Sequence, residues 1–70
     1  MLRIKEEIDL KELEKFGFLS DHYGDYRLFN DYNIDIITVW SEDRTIDVDG
    51  DDTAINTLYD LIKADIVEKI

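Results

Sequence analysis

The 70-residue chain has no cysteine and no proline, and only three glycines, one histidine, one tryptophan and one methionine. Without cysteine there is neither a disulfide framework nor a thiolate metal site. Without proline, helices and strands are free of their strongest breaker. Three glycines are too few for a glycine-rich phosphate loop. His22 lies in a polar stretch, and Ser20 and Ser41 have no evident His–Asp arrangement beside them, so nucleophilic and acid–base catalysis have no signature here and no enzymatic activity is expected. No run of apolar residues exceeds two, which argues against a transmembrane helix and a signal-peptide core.

Basic residues are scarce as well. Eight Lys and Arg face eighteen Asp and Glu, for a net charge of −10. Residues 21–52 alone carry ten acids and two bases, net −8, while each flank carries −1. That distribution argues against direct binding to nucleic acid or to an anionic membrane, both of which need clustered Lys and Arg. It favours a basic protein partner, because opposite fields accelerate encounter. A hydrophobic content of 44% argues against wholesale disorder. The chain is expected to be one small acidic domain spanning residues 1–70, with a core supplying roughly 3–5 kcal/mol, and to need no cofactor.

The sequence predicts a short helix over Leu10–Phe16. Asp9 stands as N-cap with Glu12 three residues on, a capping box. Ile8 and Leu13 occupy the staple positions. Gly17 sits where a left-handed C-terminal residue belongs, with Phe18 free to fold back on Leu13. The preceding "LRIKE" alternates as a strand does. Three strands follow in "DYRLFN", Ile34–Trp40 and "TIDVD", joined by the polar turns "NDYN" and "SEDR". The tail "DTAINTLYDLIKADIVEKI" reads as one helix capped by Asp51 or Asp52. Its apolar stripe is Ile55, Leu58, Tyr59, Ile62, Ile66 and Ile70, widened by Leu61, and Asp65 and Lys69 form an i,i+4 pair. The expected fold class is α+β in the order α-β-β-β-α, a three-stranded antiparallel meander with two helices packed on one face.

The stretch "DVDGDD", Asp47 to Asp52, invites a calcium reading. Counted from Asp47, an EF-hand requires glycine where Asp52 stands and a bidentate glutamate where Leu58 stands, so that reading fails. Gly50, Asp51 and Asp52 suit a turn into a helix. Asp47 and Asp49 have no such structural need.

With Asp31, Asp35, Glu42, Asp43, Asp51 and Asp52, those two place carboxylates on strands and turns that a meander brings together. Alternate positions along strands lie roughly 5–7 Å apart, comparable to phosphates along a DNA strand. Tyr23, Tyr26 and Tyr32 intersperse the acids and suit either interface anchors or core-edge packing. The acidic segment admits three readings: a solvated face, a dock for a basic protein, or an imitation of nucleic acid.

The segments "NTLYDLIKADIVEKI" and "IDLKELEKFGF" resemble small uncharacterised proteins of phages and prophages of low-GC Gram-positive bacteria. In size, acidity and element order the chain also resembles anti-CRISPR proteins, which inhibit RNA-guided DNA nucleases. Several of those present carboxylates to the arginines or lysines that read the DNA motif beside the target. The resemblance implies an inhibitory binding protein in the cytoplasm of a bacterial host, a monomer or weak dimer whose partner is a CRISPR effector nuclease. A phage structural or regulatory protein acting through self-assembly, or an anti-restriction or antitoxin protein, are the alternatives.

Overall fold

A computed structural model describes residues 1–70. The elements in chain order are β1 (Leu2–Ile4), a 3-10 helix (Leu10–Phe16), β2 (Leu19–Ser20), β3 (Tyr26–Phe29), β4 (Asp35–Val39), β5 (Ile46–Val48), α1 (Asp52–Lys63) and β6 (Val67–Lys69). The fold is α+β, with a four-stranded antiparallel sheet in the order β2-β3-β4-β5 and a two-stranded antiparallel sheet of β1 and β6.

The first helix has the predicted bounds and caps. Asp9 accepts from the Lys11 N–H, and Gly17 adopts a left-handed φ of 94°. The Gly17 N–H reaches the Glu14 carbonyl and the Phe18 N–H the Leu13 carbonyl, the paired bonds of a Schellman ending. Glu12 does not close the capping box through its side chain; it pairs with Lys15 at 2.6 Å. The segment winds as a 3-10 helix rather than an α-helix.

The three predicted strands are present, and β2 extends the meander to four. Its hairpin turns on Asp21, whose carboxylate accepts the N–H groups of Tyr23 and Asp25, with Gly24 left-handed at φ 86°. The next turn repeats the device. Asn30 accepts from the Tyr32 and Ile34 N–H groups, and Asn33 takes the left-handed place at φ 62°. Local side-chain acceptors of this kind fix a turn without help from the core.

The tail departs from the single long helix expected of it. α1 ends at Lys63, Asp65 turns left-handed at φ 61°, and the chain reverses into β6. β6 pairs with β1 in the register Leu2↔Lys69 and Ile4↔Val67. The run Ile66–Val67 is β-branched and is followed by Glu68 and Lys69, so a strand partner outcompetes further helix. Lys69 therefore forms no pair with Asp65, which instead meets Lys5 at 2.9 Å. The two sheets are joined by a bridge between Arg3 and Thr45. Arg44 strengthens the joint by donating to the carbonyls of Lys5 and Ile8 at 2.8 and 2.6 Å.

One core holds the elements together. Leu13, Ala54 and Leu61 from the helices meet Ile4, Phe18, Tyr26, Leu28, Ile36, Ile37, Val39, Ile46 and Ile66. On α1 the inward residues are Ala54 and Leu61; of the predicted stripe, Leu61 and Ile66 do enter the core, whereas its central members do not. Ile55, Tyr59 and Ile62 are 53%, 60% and 49% exposed. The helix carries two apolar stripes, and the sheet packs on the one built around the smaller Ala54, which lets the backbone come close.

Candidate functional site

Strand alternation separates the sheet's two faces. Tyr26 and Leu28 of β3, Ile37 and Val39 of β4 and Ile46 of β5 stand opposite one another and point into the core. Between them Arg27, Thr38 and Asp47 form a row on the other face, since Arg27 pairs with Thr38 and Thr38 with Asp47. A register shift between Leu28 and Phe29 sets Asp35 opposite Phe29. The bulge brings the Asp35 carboxylate back to Arg27 while both Ile36 and Ile37 remain buried.

Arg27 is the cation at the centre of this face. Its Nε donates to Asp21 Oδ2 at 3.1 Å, and its Nη1 to Asp35 Oδ2 at 2.6 Å and Thr38 Oγ1 at 3.3 Å. The Thr38 hydroxyl donates onward to Asp35. The guanidinium lies 5.4 Å from the centroid of the Trp40 ring, within cation–π range. Trp40 Nε1 in turn donates to Asp47 Oδ2 at 2.9 Å. The charged groups shift accordingly. Partial desolvation pushes Asp21 upward, but the Arg27 guanidinium and the Tyr23 and Asp25 N–H groups outweigh it and hold Asp21 below the ordinary aspartate value. Asp35, then Asp21, raise Arg27 above its own.

The end of the sheet beyond Trp40 is built from two turns tied together. Asp25 Oδ1 accepts both the backbone N–H and the hydroxyl of Ser41, at 2.8 and 2.9 Å. Tyr23, Asp25, Trp40, Ser41, Glu42 and Asp43 line a shallow concavity there. A second depression, bounded by Asp35, Ile36, Thr38, Asp47, Val48 and Asp49, continues along the same face. Together they make a carboxylate strip along β4 and β5 that passes through Trp40.

The carboxylates expected to act together divide by what holds them. Asp35 is bound by Arg27 and Thr38. Asp43 accepts the N–H and hydroxyl of Thr45, and that hydroxyl first, the N–H second, lowers its pKa below the ordinary value. Asp47 holds Trp40, which corrects the expectation that it lacks a structural task. Asp51 is the N-cap of α1. It accepts from the Thr53 N–H at 2.7 Å and from the Asn30 amide at 3.4 Å, and these two, in that order, lower its pKa. Asp49 accepts only from the adjacent Gly50 N–H. Asp31, Glu42 and Asp52 are exposed and take part in no ion pair. Gly50 has no left-handed φ, and a Cβ there would meet nothing within 4 Å, so the turn into α1 does not depend on glycine.

The eleven expected residues do not form one patch. Glu42 and Asp43 lie at one end of β4, with Tyr23 beside them. Asp31 and Tyr32 lie in the turn at the other end, near Asp51 and the start of α1. Asp35, Asp47 and Asp49 run between. Tyr23 and Tyr32 are exposed, whereas Tyr26 is in the core and is not a surface anchor. Nowhere do three or more His, Asp or Glu side chains converge as the ligands of an ion would. No helix is long and apolar enough to cross a membrane.

Four residues that organise this face, Asp21, Asp25, Arg27 and Trp40, are not among the expected site residues. The signal for Asp21 is the parallel between "DHYGD" and "NDYNI", each an Asp or Asn three residues ahead of a Gly or Asn. Arg27 is the single Lys or Arg between residues 16 and 43, and a lone cation among that many acids marks a place where they gather. No family model, no curated protein and no solved structure matches the chain.

Proposed function

We propose that this chain is a non-catalytic binding protein whose outer sheet face occupies a basic, nucleic-acid-binding surface of another protein and so inhibits it. The observation that carries this reading is the internal consumption of Arg27. The cation at the centre of the face is held by Asp21, Asp35 and Trp40. It orders that face while leaving the strip net negative. A partner's lysines and arginines then meet carboxylates already set by turns and strands, with little side-chain ordering left to oppose binding. Asp47 lies in β5 and Asp49 one residue past its end, at the edge of the sheet; alternate positions of an extended chain are about 6.7 Å apart, a spacing suited to residues that otherwise track a nucleic-acid backbone.

The target class implied by the resemblance is an RNA-guided DNA nuclease, at the site where its arginines read the motif beside the target. The test is capture of proteins from a CRISPR-bearing host lysate on the immobilised chain at low and high salt. The Glu42→Lys/Asp49→Lys variant runs alongside. These positions are chosen because neither carboxylate holds another side chain. Recovery of a nuclease at low salt by the wild type alone is the expected result. Equal recovery by both proteins, or none at either salt, would sink the reading.

A further inference from the structure

The outer stripe of α1 has no partner within the chain. Ile55, Tyr59 and Ile62 recur at i, i+4 and i+7, and at about 100° per residue they span a narrow arc. All three are about half exposed or more. The inward stripe already meets the core through Ala54 and Leu61. A helix apolar on two faces is a helix with two packing surfaces, and here only one is filled.

The charges beside the stripe say what fills the other. On the helical wheel Leu58 borders it on the core side, while Asp52 and Lys63 border it on the open side, one in the first turn and one in the last. The midpoint of Asp52 and Lys63 and that of Ile55 and Ile62 fall within one residue of each other along the helix. If a second α1 lies antiparallel across the stripe, a two-fold axis near that midpoint sets each Asp52 beside Lys63 of the second copy. The same operation sets each Ile55 beside Ile62. The surface is complementary to itself, as an isologous interface requires. The antiparallel arrangement also opposes the two helix dipoles.

We infer that α1 mediates a symmetric, antiparallel dimer of this chain through Ile55, Tyr59 and Ile62, flanked by reciprocal Asp52–Lys63 pairs. Helix α1 itself carries Asp52, Asp60 and Lys63, net −1 of the chain's −10, so this is a face on which two acidic copies approach with little local repulsion. A standard interface takes about 800 Å² from each partner, roughly a sixth of the 4773 Å² that one copy exposes. Three side chains cover less than that, and the dimer is accordingly weak. The remaining charge repels at long range and is screened by salt, so dimerisation strengthens as salt rises. That response is opposite in sign to the one expected of the acidic sheet face, and the inference stands whether or not that face binds a partner.

Sedimentation equilibrium from micromolar to millimolar protein, at low and high salt, is the test. The expected weight-average mass climbs from 8.3 kDa toward twice that value, at lower concentration in high salt. Ile55→Glu/Ile62→Glu stays monomeric with an unchanged far-ultraviolet spectrum; if that spectrum is lost, the single change Tyr59→Glu replaces it and is expected to stay monomeric too. At low salt Asp52→Lys and Lys63→Asp each weaken the dimer alone, and an equimolar mixture of the two regains it, because the mixed pair restores Asp–Lys contacts; high salt screens the pairs and narrows the difference. A monomer at every concentration, a dimer that survives the glutamates, or a mixture that stays monomeric would overturn the inference.

Discussion

On the outer face of the sheet Arg27 ties down Asp21 and Asp35 and Trp40 ties down Asp47, while Glu42 and Asp49 hold no other side chain. On the outer face of α1, Ile55, Tyr59 and Ile62 stand open with Lys63 laid over the Tyr59 ring at 5.2 Å. The first surface is polar, negative and held in place; the second is apolar, close to neutral and uncovered. The fold places them on different sides of its core, since α1 packs on the face of the sheet that Arg27 does not occupy. A chain this small has surface enough for two chemistries only because its helix commits just one of two apolar stripes to the core. Salt is the variable that separates them, weakening charge-led association and favouring apolar contact between like-charged copies.

The largest expected effect distinguishes the two stripes of α1. Leu61→Ala removes a fully buried side chain and should lower unfolding stability by about 2–5 kcal/mol in denaturant titration. Ile62→Ala, one residue on, should change monomer stability by no more than about 0.5 kcal/mol. Similar losses for both would show that the outer stripe is not outer at all.

Next comes the joint between the sheets. Arg44 sits at a left-handed φ of 66° and donates to two carbonyls of the N-terminal segment. Arg44→Ala keeps the backbone cost and loses both bonds, for an expected loss of about 2 kcal/mol or more in the same titration. Arg44→Gly should recover part of that loss by relieving the backbone. No recovery would mean that the turn is unstrained.

A smaller effect concerns pH and belongs to the acidic face. Asp21, Asp43 and Asp51 have depressed pKa values, so the unfolded chain binds more protons than the folded one in the acid range. Their contribution is full above the ordinary aspartate pKa and is lost as pH falls through the lower folded values. Thermal unfolding across that range should show Asp21→Asn and Asp51→Asn flattening the acid-side fall. The smallest effect is that of Lys15→Ala, whose exposed pair with Glu12 should be worth less than about 0.5 kcal/mol by denaturant titration.

The parts of this fold that local chemistry dictates are legible in the sequence. The Asp9 and Asp51 caps, the Gly17 ending and the β3–β5 meander follow from side chains acting on backbone a few residues away. The parts decided by distant partners are not. Val67–Lys69 reads as helix until Leu2–Ile4 is there to pair with it. The stripe Ile55–Tyr59–Ile62 reads as core until Ala54 and Leu61 are seen to fill that place. The acidic site is legible as a segment but not as an arrangement. Sequence counts carboxylates, whereas their availability depends on Arg27, Thr45 and Trp40 reaching some of them first.

On the proposed function, the sheet's carboxylates, not the helix's apolar stripe, bind the basic partner. Calorimetric titration of that partner over a series of salt concentrations separates the two surfaces, with the wild type, Glu42→Lys/Asp49→Lys and Ile55→Glu/Ile62→Glu compared side by side. The expected affinity falls steeply with salt, is abolished by the lysines and is unaffected by the glutamates. Affinity indifferent to salt and lost with the glutamates would contradict the proposed function.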